Sequence, residues 1–137
     1  MRRIESSHLW IGHVGDGRNY RRLFDEGISV IVRLAIEEEP LTAPREFTVL
    51  RFPLHDGGNT PDVLRFAVEA VAHIVRSELP SLVCCSAGMS RSPAVTAAAI
   101  SLVDGRNLSQ CLEHVTRGGA ADVSPSLWQE LCDLKRH

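Results

Sequence analysis

No segment of this sequence approaches the roughly 20 apolar residues that a membrane span needs, and residues 1–20 hold no apolar run fit for a signal-peptide core. A soluble protein of the cytoplasm, with no membrane partner, is therefore expected. An excess of charge is lacking too: the formal net charge is only -2, so no nucleic-acid partner is expected. Cysteine is sparse, with Cys84, Cys85, Cys111 and Cys132 alone, and their spacing is unlike a disulfide framework or a zinc site. Reduced thiols, one of them reactive, are the better reading. The six histidines form no i, i+4 pair, and neither a metal nor any other cofactor is expected. Repeats, low-complexity tracts and linkers are all missing. At 137 residues the chain can bury one core but not two, which predicts a single domain over residues 1–137. Apolar residues at 44% and charged residues at 23% lie near the globular averages and exclude disordered or fibrous classes.

What is present alternates between strand and helix patterns. Leu9–Ile11, closed by the glycine-rich turn Gly12 to Gly17, reads as an edge strand. Asn19 can cap a helix over Tyr20–Glu26 that ends at Gly27. Ile28–Leu34 and Thr48–Phe52 are rich enough in β-branched and apolar residues to be strands, and the acidic Glu37–Pro44 segment between them reads as a surface loop. Thr60-Pro61 predicts a helix start, with the threonine bonding free N–H groups. Leu64, Ala67, Val68, Val71, Ile74 and Val75 then lie on one helical stripe that runs up to Leu79–Pro80. A short apolar strand, Ser81–Cys84, precedes a helix over Pro93–Val103 that is apolar on nearly every side and so belongs in the middle of the domain. Asn107 with Gln110 resembles a capping box for a helix over Leu108–Arg117, and Ser124-Pro125 opens a last helix to the C-terminus. This order predicts an α/β sandwich with a mostly parallel sheet flanked by helices.

Between the apolar strand and the buried helix lies Cys85-Ser86-Ala87-Gly88-Met89-Ser90-Arg91-Ser92-Pro93. Six consecutive N–H groups in a tight loop at a helix N-terminus can all point at one anion, and the helix dipole adds to the attraction. Small residues at 86, 87 and 88 let the backbone curl that closely. The same field favours the thiolate form of Cys85. Arg91 offers a planar fork that matches two phosphate oxygens, and Ser92 can hydrogen-bond the sulfur when it leaves. The candidate phosphate-binding residues are thus Ser86, Ala87, Gly88, Met89, Ser90 and Arg91.

On these residues the chain resembles the protein tyrosine phosphatases, whose signature is Cys-(x)5-Arg-Ser after a strand and before a helix. Ala-Gly inside the loop and Ser-Pro after it look like the dual-specificity branch. Leu9-Trp10-Ile11-Gly12 is similar to that branch's opening strand, Leu23 to Ile31 to its following segment, and Arg117 to Leu131 to its closing helix. The resemblance implies a phosphatase loop between strand and buried helix, a phosphocysteine intermediate on Cys85 and a phosphorylated protein as partner. It also implies an aspartate acid in a loop before the long helix, where Asp56 stands in Phe52-Pro53-Leu54-His55-Asp56-Gly57-Gly58. Asp62 competes for that role, although a carboxylate in a first helical turn is explained by the dipole alone. His55 reads as an ordinary loop histidine. The chain departs from the family where a histidine normally precedes the nucleophile, since Cys84 stands there.

The expected function is hydrolysis of phosphotyrosine and of phosphoserine or phosphothreonine on proteins. Inositol lipids or RNA 5′ ends are the alternative substrates within the enzyme class, and a phosphate-binding pseudophosphatase is the alternative outside it. Phosphoinositide-directed relatives usually carry lysine inside the loop, whereas Ser86 to Ser90 bear no charge.

Overall fold

Val30–Ala35 forms a strand in which every residue is buried, as a continuous β-branched run requires when both faces of a sheet are covered. The computed structural model that shows this describes residues 1–134; residues 135–137, the end of the helix expected to reach the C-terminus, lie outside the described residues. In chain order the elements are β1 (Arg2–Arg3), β2 (Leu9–His13), α1 (Tyr20–Asp25), β3 (Val30–Ala35), β4 (Thr48–Leu54), α2 (Pro61–Ser77), β5 (Ser81–Cys85), α3 (Arg91–Asp104), α4 (Leu108–Thr116) and α5 (Pro125–Leu134). The sheet runs β1-β2-β5-β3-β4. β2, β5, β3 and β4 are mutually parallel, and only β1 is antiparallel to its neighbour.

This is the expected α/β architecture, with one correction at the edge. The strand around Leu9–Ile11 is interior, because Arg2 and Arg3 pair with Ile11 and Trp10 and cover its outer side. Two residues of strand leave no apolar pattern to read.

The helices follow from local signals. Asn19 caps α1 by accepting from the Arg22 N–H at 3.3 Å, and Asn107 caps α4 by accepting from Ser109 N and Gln110 N at 2.8 and 3.3 Å. Thr60 does not cap α2 through its side chain, contrary to expectation. Pro61 at the first turn has no N–H to satisfy and its fixed φ already suits a helix. α2 buries Leu64, Ala67, Val68, Val71 and Ile74 against the sheet and α3. Each large aliphatic side chain removed from water in this way contributes about 1.5–3 kcal/mol. α3 is buried from Arg91 through Ser101, and its alanines at 94, 97, 98 and 99 let neighbouring elements approach closely. The main core lies on the face covered by α2, α3, α4 and α5, and a smaller cluster of Leu23, Ile28, Ile31, Leu82 and Cys84 lies on the other.

Parallel strands align their carboxyl ends. His13, Ala35, Leu54 and Cys85 therefore end β2, β3, β4 and β5 at one rim of the sheet. In open parallel sheets that rim is where ligands bind.

Candidate active site

Cys85 closes β5 with its side chain in the main core and is 2% exposed. The next five residues curl to the start of α3, and the curl depends on Gly88. Its φ is +74°, and a Cβ there would lie 2.8 Å from the Gly12 carbonyl oxygen, so both conformation and space exclude a side chain. The loop carbonyls face the protein: those of Ser86, Met89 and Ser90 accept from Val14 N, Asp122 N and Ala94 N. The loop amides do not. Among the described residues, none accepts a hydrogen bond from the N–H of Ser86, Ala87, Gly88, Met89 or Ser90. Five consecutive donors without a protein acceptor at a helix N-terminus are an anion cradle.

Arg91 begins α3 with its side chain 8% exposed. Nη1 donates to the Leu54 carbonyl at 2.9 Å and to Glu37 Oε1 at 2.6 Å, while Nη2 donates to Glu37 Oε2 at 2.6 Å and to Ser86 Oγ at 3.2 Å. Ser86 Oγ in turn donates to Glu37 Oε2 at 2.6 Å. Hydrogen bonds from the Arg91 guanidinium hold the Glu37 carboxyl down at about 2, against a smaller opposing effect of burial. Glu37 is a site residue that sequence reasoning missed, because three consecutive acids before a proline read as a solvated loop. That reading also fails at Glu38, which is 7% exposed and paired with Arg18 Nε at 3.2 Å and buried Arg33 at 3.8 Å. Glu38 pins the turn after β3, and its neighbour reaches the loop.

Asp56 follows β4 and accepts at Oδ1 from Ser90 Oγ at 2.5 Å; the same Ser90 oxygen accepts from Ser124 N at 2.9 Å. Asp62 sits on the first turn of α2 with its side chain 89% exposed, 3.8 Å from Arg65. Of the two candidate acids, the structure brings only Asp56 into contact with the phosphate loop. His55 uses its backbone to close the loop on Asn59. Ser92 is fully buried, and its Oγ has no partner among the described residues. A hydroxyl so placed in the first turn after the loop suits a ligand or group that gains charge during a reaction.

Cys84, one residue before the nucleophile candidate, faces the opposite side of the sheet, as alternation along a strand requires. Its Sγ lies 3.5 Å from the Val32 carbonyl, and burial together with the Glu38 charge pushes its thiol up to about 12. Beside the loop, a cleft of about 360 Å³ runs between Ile11–His13, Ala87–Met89 and Gly119–Ala120.

No protein-family model and no curated protein sequence matches the chain. Solved structures do. Human DUSP28 superposes with a TM-score of 0.84 at 23% identity, covering 99% of this chain and 96% of that one. DUSP15 gives 0.77 at 24% identity over 97% and 85% of the two chains. The human tyrosine phosphatase-like serine/threonine/tyrosine-interacting protein gives 0.78 at 20% identity over 94% and 91%. The chain has the dual-specificity phosphatase fold. That fold places Cys85 and Arg91 at the two ends of one anion cradle, and it brings Asp56 to the rim. Among the described residues, no helix is long and apolar enough to cross a membrane.

Proposed function

We propose that this protein is a cysteine-dependent phosphatase that hydrolyses phosphomonoesters on phosphotyrosine and on phosphoserine or phosphothreonine of proteins. The observation that carries the reading is the unpartnered amide cradle strung between a buried cysteine and a buried arginine. The Cys85 thiolate attacks phosphorus, the phosphorus–oxygen bond breaks, and Asp56 gives its proton to the leaving oxygen. The loop amides and Arg91 hold the equatorial oxygens, whose charge is greatest in the transition state. Water then attacks the phosphocysteine with Asp56 taking a proton, the sulfur–phosphorus bond breaks, and Ser92 donates to the departing thiolate. No step calls for a metal or cofactor. The uncharged loop from Ser86 to Ser90 suits a single phosphate, and the cleft beside it has room for the polypeptide flanking a phosphorylated residue. Thiolate chemistry at Cys85 needs a reducing compartment, which supports a cytoplasmic location.

Cys85→Ser tests the reading against a binding protein of the same fold. The variant should lose turnover of a small aryl phosphate by several orders of magnitude and still bind phosphate or vanadate, because the amides and Arg91 remain. Turnover above about one per cent of wild type would remove Cys85 as nucleophile. A wild-type protein that binds phosphate but turns over no aryl phosphate would be a pseudophosphatase.

A further inference from the structure

The loop that carries Asp56 contains two adjacent glycines in left-handed conformations, Gly57 at φ +130° and Gly58 at φ +86°. Such a pair has wide backbone freedom, so something outside the loop must hold Asp56 in one place. Asn59 closes the base: His55 N donates to its Oδ1 and its Nδ2 donates to the His55 carbonyl, both at 2.8 Å. These bonds shape the loop without saying where it lies. Besides the bond from Ser90 to Asp56, its position is fixed by one side chain on α5. Glu130 Oε2 accepts from Gly58 N at 2.7 Å, and Oε1 accepts from Asn59 N and Asn59 Nδ2, each at 3.1 Å. Ser126 Oγ adds a fourth donor to the carboxylate, at 3.3 Å from Oε2, and the Ser126 side chain is where a Cβ on Gly57 would fall.

We propose that Glu130 is a positioning residue for the general acid: its carboxylate clamps the 57–59 backbone against α5 and so holds Asp56 on Ser90 above the phosphate loop. The inference rests on the phosphatase reading and on Asp56 as its acid. Glu130 touches neither the phosphate cradle nor Asp56; it acts through Gly58 and Asn59. A carboxylate is required, because both oxygens meet N–H donors. An amide at this position would turn an NH₂ toward either Gly58 N–H or Asn59 N–H whichever way it is flipped. Burial alone would raise the Glu130 carboxyl, but the hydrogen bonds from Gly58 and Asn59 outweigh it and lower the group, so the clamp is ionised at neutral pH.

Glu130→Gln, nearly isosteric, provides the test. With a phosphotyrosine peptide, whose leaving oxygen needs a proton, kcat should fall about tenfold with little change in KM, the size expected for a loosely held acid. With an aryl phosphate of very acidic leaving group the loss should be under about twofold, since little proton donation is needed. In an Asp56→Asn background, Glu130→Gln should add nothing. Glu130→Asp, which keeps the acceptor charge, should recover part of the loss, and amide exchange at residues 57–59 should quicken in Glu130→Gln by more than it does in the core strands. Equal losses on both substrates, or a further loss in the Asp56→Asn background, would show a general structural role and overturn the proposal. If Asp56→Asn is leaving-group dependent and Glu130→Gln is not, the positioning role alone falls. If Asp56→Asn shows no such dependence, the acid assignment fails and the clamp proposal fails with it.

Discussion

Glu37 sits opposite Arg91 with both carboxylate oxygens engaged at 2.6 Å, and two roles are open to a carboxylate there. It can fix the plane of the guanidinium, or it can compete with phosphate for it. The contacts favour the first. Glu37 and the Leu54 carbonyl take both Nη1 donors and one of Nη2, which leaves Nε–H and the Nη2 N–H now given to Ser86 Oγ as the pair that meets phosphate. Charge-assisted bonds are individually strong, but the Glu37 side chain is 53% exposed, and screening reduces the net value to about 1 kcal/mol. Glu37→Gln should therefore lower kcat/KM for aryl phosphates about fivefold, as a freer Arg91 meets the transition state less often in register. An unchanged or raised kcat/KM would make Glu37 a competitor for the anion instead of a support.

At the scale of the element, β5 decides the fates of two neighbouring cysteines. Cys85 points to the face that carries α3, and Cys84 points to the small cluster under α1, where it is 0% exposed. An ideal Cβ on Gly17 would lie 2.8 Å from Cys84 Sγ, so the turn before α1 closes directly over the sulfur. With its thiol pushed up to about 12, Cys84 is protonated at neutral pH and inert. Brief treatment with iodoacetamide at pH 7, followed by peptide mapping, should find the label on Cys85 and none on Cys84. Cys84→His, which places there the residue that protein tyrosine phosphatases normally carry, should overpack this site and lower stability by about 1–3 kcal/mol. A Cys84→His variant that melts at the wild-type temperature would show that the turn at Gly17 yields more easily than the packing implies.

Over the whole molecule, the acidic side chains that organise the rim also set the response to acid. Glu37 is lowered to about 2 from an ordinary 4.5, first by the Arg91 hydrogen bonds, and Glu130 is lowered by the N–H groups it accepts from despite its burial. Both bind protons less readily folded than unfolded. The stability Glu37 contributes is present above pH 4.5 and is lost as pH falls toward 2, and Glu130 acts in the same direction. Melting temperature should stay level between pH 7 and about 5 and decline below about 4.5, with a shallower decline in Glu37→Gln. Melts across that range check it: equal slopes in wild type and variant would mean that Glu37 carries no share. Added salt should weaken the Glu37 contribution, because that pair is half open to solvent.

The same division between near and far separates what could be read in the chain from what could not. The α/β class, the buried helix α3, the amphipathic stripe of α2, the caps at Asn19 and Asn107 and the loop from Cys85 to Arg91 were legible, because each depends on periodicity, capping or spacing within a few residues. The edge strand Arg2–Arg3 was not, since two arginines carry no strand pattern and pair only because β2 lies alongside. Only folding distinguishes Asp56 from Asp62, because it sets Ser90 against one and solvent around the other. Glu37 and Glu130 left no local signal: the first meets Arg91 across 54 residues, and the second meets Gly58 and Asn59 across 72 and 71. By itself the sequence picked out the candidate nucleophile, the candidate phosphate-binding arginine and the loop between them, which are contiguous along the chain. Which carboxylates support them was decided by the parallel sheet and by α5, because a hydrogen bond between distant residues exists only once packing has brought donor and acceptor to about 3 Å.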